Sequence, residues 1–131
     1  MIAIDTNVLV RLLVNDDQQQ GAKAKQLFDA NADQDGAIWL GDTVLVELVW
    51  VLTRSYGRSR QAVLTALRAL ASNASVTLES GHTIHAALDS FASGSADFAD
   101  CLLAENSRQA GCDSLYTFDR AMRGLVGVKL L

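Results

Sequence analysis

Proline is absent from this chain of 131 residues, which leaves glycine, asparagine and aspartate to punctuate it. Cysteine is scarce. The two present, Cys101 and Cys112, form no CxxC pair, and no histidine stands at zinc-finger spacing from them. Both thiols read as reduced and structural. Positive charge is also short: 11 bases face 15 acids, for a net charge of −4. That is not the basic footprint usual in nucleic-acid binding. No apolar run reaches the roughly 18 residues that suggest a membrane span. The N-terminus lacks a basic start, and Asp5 and Arg11 interrupt its apolar run, so it does not read as a secretory signal and a cytoplasmic location is expected. There is no glycine-rich phosphate loop and no nucleophile elbow for serine chemistry. The opening "MIAIDTNVLV" also lacks the second aspartate, two residues after the first, of phosphatases with an aspartate nucleophile.

What is present is apolar material: half of the residues are hydrophobic, enough for a sizeable core in one domain spanning 1–131. The pattern alternates short strands with helices. Residues 2–4, 37–40, 75–79, 114–118 and 126–131 read as strands, the last an edge strand. Residues 6–14, 16–31, 42–56, 59–72, 81–92 and 97–110 read as helices. The second helix is amphipathic with Ala24, Leu27 and Phe28 inward; Asp42 is a plausible N-cap of the third. Such alternation predicts an α/β fold, a parallel sheet covered by helices on both faces. Ligands of such sheets bind outside the carboxyl ends of the strands. Asp5 follows the first strand and Asp119 follows "SLYTF", so both acids are expected on the same sheet edge.

Four acids do not fit their surroundings. Glu47 sits in "VLVELVWVL", where nearly every face of a helix seeks burial. An unpaired carboxylate there is costly. A salt bridge to arginine, a wet helix edge, or a metal ion would each relieve it. "SADFADCLLAEN" sets Asp97 and Asp100 three apart, on one helical face, where like charges repel unless a cation lies between them. Asp97 also reads as an N-cap or first-turn acid; Asp100, followed at once by "CLLA", has no such role. Asp119, beside Thr117, reads either as a helix cap or as a ligand. His82 and His85 are three apart but have no acid assigned to them, and read as surface or cap residues. Asp5, Glu47, Asp100 and Asp119 therefore form a carboxylate set without histidine or thiolate. All-oxygen donors suit Mg²⁺ or Mn²⁺ rather than zinc, and such ions engage substrate phosphates. The chemistry indicated is phosphodiester hydrolysis.

Four stretches in order, "MIAIDTNVLV", "TVLVELVWVL", "ADFADCLLAENSRQAGC" and "LYTFDRAM" followed by "GVKLL", resemble the PIN-domain family and, within it, the VapC-type ribonuclease toxins. The resemblance spans the whole chain. It implies a three-layer α/β/α sandwich with a central, mostly parallel sheet, a homodimer, a divalent metal, RNA as substrate, and a VapB-like antitoxin whose C-terminal segment blocks the site. By position it makes Asp5, Glu47, Asp100 and Asp119 the catalytic and metal-binding acids, with Asn7 and Thr117 in support. Asp97 matches an acid found in only some members. An acidic pocket repels an RNA backbone, so bound metal and rim arginines must offset it; Arg11, Arg54, Arg58, Arg120 and Arg123 are the candidates. Two other functions fit the same acids: a metal-dependent nuclease or phosphatase acting on something other than RNA, and a non-catalytic module that binds a partner's basic arm.

Overall fold

The computed structural model describes all residues, 1–131, in two compact units, Met1–Ser80 and Gly81–Leu131. In the first unit, β1 (Ile2–Ala3), β2 (Ile38–Leu40) and β3 (Val76–Leu78) form a parallel sheet in that order. Ile2 pairs with Ile38, and Ile38 pairs in turn with Val76. Ile38 and Leu40 of the middle strand are fully buried, as apolar strands between two neighbours are when both faces are covered. Gly36 makes the turn into β2 at φ +64°; a Cβ there would stand 2.7 Å from Thr77 Oγ1, a hydroxyl that instead donates to the Gly36 carbonyl.

Four helices complete this unit: α1 (Thr6–Leu13), α2 (Gln18–Asp29), α3 (Asp42–Arg54) and α4 (Arg60–Ala71). Each buries one stripe: Leu9 and Val10 in α1, Leu45, Leu48 and Leu52 in α3, and Val63, Leu64, Leu67 and Leu70 in α4. Two expectations change here. Leu27 of α2 is 40% exposed rather than inward, and Ala24 is that helix's buried residue. Asp42 is not the cap of α3 but its first residue. Gly41 holds the cap position, and Asp42 Oδ2 accepts from Ser80 Oγ at 2.7 Å.

The loop between α1 and α2 is fixed by a polar cluster. Arg11 donates from Nε to Gln20 at 2.6 Å and from Nη1 to Asp16 at 2.9 Å; Tyr56, just beyond α3, donates to the other Asp16 oxygen at 2.7 Å. Asp17, not Asp16, caps α2 by accepting from the Gln20 amide, which is why that helix starts later than its acidic lead-in suggests.

The second unit holds α5 (Gly81–Ser93), α6 (Phe98–Gln109), β4 (Leu115–Thr117), a short 3-10 helix (Arg120–Met122) and β5 (Val128–Leu130). β4 and β5 pair in parallel as a separate two-stranded sheet. α5 packs on α6 through Ile84, Leu88, Phe91, Phe98 and Cys101, with Phe91 and Phe98 edge to face at 6.0 Å. Both cysteines are free, Cys101 buried and Cys112 exposed. No helix is long and apolar enough to cross a membrane.

The α/β class with parallel strands is therefore realised, with the strands hydrogen-bonded in a set of three and a set of two. The Tyr56 hydroxyl, first, and the Arg11 guanidinium hold the Asp16 carboxyl below its usual value. A depressed acid stabilises the fold above the ordinary carboxylate range, and that contribution disappears as pH falls through the depressed value. Tyr56→Phe should accordingly lower Tm at neutral pH, and the deficit should shrink toward zero in strong acid; thermal melts across pH measure it.

Candidate functional site

Asp5 and Asp119 occupy equivalent local positions, one in each unit. Asp5 lies two residues beyond β1 and caps α1: its backbone is extended, and Oδ1 accepts from the Val8 amide at 3.1 Å. Asp119 lies two residues beyond β4 and caps the 3-10 helix, Oδ1 accepting from the Ala121 amide at 2.9 Å. Its own amide donates to Thr117 Oγ1 at 3.0 Å, so Thr117 orients the turn that carries the acid. Both carboxylates are exposed and keep a second oxygen free. Cap and ligand, posed as alternatives by the sequence, are compatible in one carboxylate. Because β1 and β4 belong to different hydrogen-bonded sheets, the single sheet edge expected for the two acids is not made by strand pairing.

Glu47 is exposed, contrary to its apolar setting in the sequence. The buried stripe of α3 is confined to Leu45, Leu48 and Leu52, while Val44, Val46, Val49 and Val51 are only half covered. That leaves an outer arc on which Glu47 and Trp50 stand, Trp50 being 60% exposed. Glu47 is held from an unexpected direction: Thr6 Oγ1 donates to its Oε2 at 2.8 Å, and Thr6 is buried. From the sequence Thr6 is only the first residue of the helix expected over 6–14. Its signal was a hydroxyl inside an apolar run whose neighbours Ile4, Leu9 and Val10 are core. The acid that burial does single out is Glu105 of α6, 8% exposed and bound by both oxygens to Arg108 Nη1 at 3.1 and 3.0 Å. Its partner, three residues on, was visible in the sequence.

In the second unit, Asp97 takes the cap position of α6 but its side chain accepts no hydrogen bond there; only its carbonyl serves, accepting from Cys101. Asp100, one turn in, is half-buried. Burial raises the Asp100 carboxyl above its usual value, and the nearby charges of Asp97 and Asp119 add to the rise. Asp97 and Asp119 are thus near enough for their charges to act on Asp100. In neither unit do three or more His, Cys, Asp or Glu side chains come together closely enough to hold a metal ion by themselves. The donor chemistry nonetheless suits a hard divalent ion: carboxylate oxygens only, one of them strained by its like-charged neighbours.

The predicted basic rim separates into two kinds. Arg54, Arg58, Arg120 and Arg123 are exposed. Arg11 is engaged by Asp16, Gln20 and Tyr56, so it acts as a structural tie within the first unit rather than as an open cation. Asn7 is exposed next to Asp5.

Parallel strands alternating with helices, two of the strands each followed two residues on by an acid, define an α/β protein. The PIN domain family model matches residues 2–127, and the chain belongs to that family. Among solved structures it is similar to the VapC20 toxin of Mycobacterium tuberculosis, described as cleaving the sarcin-ricin loop. The identity is 21%, over 98% of each chain, with a TM-score of 0.46. No curated protein matches it significantly.

Three outcomes follow for these residues. A raised acid costs the fold stability wherever it is charged. Without metal, Asp100→Asn should therefore melt higher than the parent at neutral pH, and the gap should close as pH falls through the carboxylate range. Melts in chelator measure this, and Asp97→Asn should cost less than the ~1 kcal/mol of a lost side-chain cap. Thr6→Val, which keeps the shape but not the hydroxyl, should cost about 1 kcal/mol in denaturant titration, the usual worth of one hydrogen bond.

Proposed function

We propose that this chain is a metal-dependent endoribonuclease and the toxin of a type II toxin–antitoxin pair, with residues 1–131 acting as one PIN-like domain. The observation that carries the reading is the set of acids without bases. Asp5, Asp97, Asp100 and Asp119 make no ion pair, and Asp100 is raised by burial and by its acidic neighbours. A fold maintains such repulsion at a cost that a cation removes. Membership of the PIN domain family and the four sequence stretches that resemble VapC-type toxins support the same assignment.

Asp5, Glu47, Asp100 and Asp119 are the proposed ligands of Mg²⁺ or Mn²⁺. When bound, such an ion acidifies a coordinated water and offsets negative charge on phosphoryl oxygens. The chain's own residues supply the rest. The Val8 and Ala121 amides hold one oxygen each of Asp5 and Asp119, so the free oxygens are pre-aimed and little rotamer freedom remains to be lost on binding. Thr6 does the same for Glu47, and Thr117 sets the turn carrying Asp119. Asp97 serves in the outer layer, raising the demand for a cation at Asp100. Arg54, Arg58, Arg120 and Arg123 are the cations left to draw in an RNA backbone. Partners in this reading are a second copy of the chain and a VapB-like antitoxin in the cytoplasm, whose basic segment pairs with the same carboxylates.

Asp5→Asn keeps the cap acceptor but removes the charge. Cleavage of RNA with Mn²⁺ should fall by at least about a hundredfold, since one preorganised electrostatic group is worth roughly 3–4 kcal/mol at the transition state. Undiminished cleavage by Asp5→Asn would overturn the site. Faster turnover of DNA or of small phosphate esters than of RNA would move the assignment to another substrate. No Mn²⁺-dependent cleavage of any of them, with tight binding of a basic peptide, would make the chain a binding module.

A further inference from the structure

α1 and α2 pack against each other, joined where Arg11 near the end of one reaches Gln20 near the start of the other. Between them runs an open groove of about 340 Å³, lined by Val8 and Arg11 of α1 and by Gln20, Lys23 and Leu27 of α2, with Asp5 at its border. The α2 residues are spaced three and four apart, so they share one helical face. Lys23 and Leu27 share that lining with Asp5 and Val8, at the start of α1. Lys23 lies three residues beyond Gln20, which is about 4.5 Å along the axis. The groove holds two cations of unequal availability. Arg11 is occupied by Asp16, Gln20 and Tyr56. Lys23 is exposed and makes neither a hydrogen bond nor an ion pair. Leu27, the residue expected inside and found 40% exposed, presents apolar surface in the same groove.

An open cation and an apolar side chain in one groove match two parts of a nucleotide strand, a phosphate and a base. Asp5, also in the lining, would meet the phosphate to be cut only through the divalent ion that the ribonuclease reading assigns to it. We propose that this groove seats single-stranded RNA on one side of the scissile phosphate, with Lys23 paired to a backbone phosphate and Leu27 against a base. The proposal rests on the ribonuclease reading and adds to it a binding track and a residue, Lys23, outside the acid set. A basic protein arm is the less suited occupant, because Lys23 would repel it. The Arg11 cluster is then the tie that joins the two walls at one end of the groove.

The test uses the full chain in an Asp119→Asn background, which leaves the groove intact and prevents cleavage during the measurement. Fluorescence anisotropy of a short labelled oligouridylate with Mg²⁺ gives Kd as a function of salt. Losing one phosphate contact to a single strand should flatten the plot of log Kd against log salt by about 0.7. Lys23→Gln is expected to do this and to weaken binding several-fold at low salt. Lys23→Arg should restore the slope, and Leu27→Ser should weaken binding without altering it. An unchanged slope in Lys23→Gln, while the parent binds RNA with normal salt dependence, overturns the groove but not the ribonuclease. A parent that binds no RNA overturns both. If Lys23→Gln instead tightens binding of an oligoarginine peptide and leaves the RNA slope alone, the groove belongs to a basic protein segment and the proposal falls.

Discussion

A carboxylate at the start of a helix has two oxygens, and the helix needs only one of them. Much of this protein's candidate chemistry depends on that surplus. Asp5 gives one oxygen to Val8 and Asp119 gives one to Ala121, so each turn from strand to helix is stabilised while a second, negatively charged oxygen stays available. The cap also fixes the side chain's direction, which a free surface aspartate lacks. An acid held this way is both a structural device and a ready ligand. The two strand ends reach this arrangement independently, in separate units of the chain.

Charge balance gives the arrangement its meaning. The bases nearest in sequence to these acids are either turned to other tasks or left in solvent. Arg11 ties α1 to Asp16 and Tyr56, and Arg108 neutralises the buried Glu105. The acids proposed as ligands are left without them, and burial, followed by the charges of Asp97 and Asp119, raises the Asp100 carboxyl above its usual value. Excess negative charge concentrated near Asp100 is the local form of the acidic balance visible in the whole chain.

Residues whose neighbours in sequence are also their neighbours in space were read well. The strand ends bearing Asp5 and Asp119 and the alternation of elements all depend on a few consecutive residues. Readings that required knowing which helical face meets the core went wrong or stayed open. Leu27 was expected inward and is exposed, and of the alternatives left open for Glu47 the exposed helix edge is the one found, because α2 and α3 bury narrower stripes than their apolar content allows. Asp42 looks like a cap in a linear reading and instead binds Ser80, 38 residues away.

By itself the sequence determined the element order and the α/β class, which follow from periodicity and propensity acting over a turn or a strand. Its four quoted stretches carried the resemblance to the PIN-domain family, to which the chain belongs. Only the tertiary structure decided that Thr6 holds Glu47 across 41 residues, that Arg11 is spent on a brace while Lys23 stays free, and that α1 and α2 leave a groove between them. Such pairings come from the packing of helices against one another. Nothing in a residue's immediate neighbours specifies which distant side chain will face it.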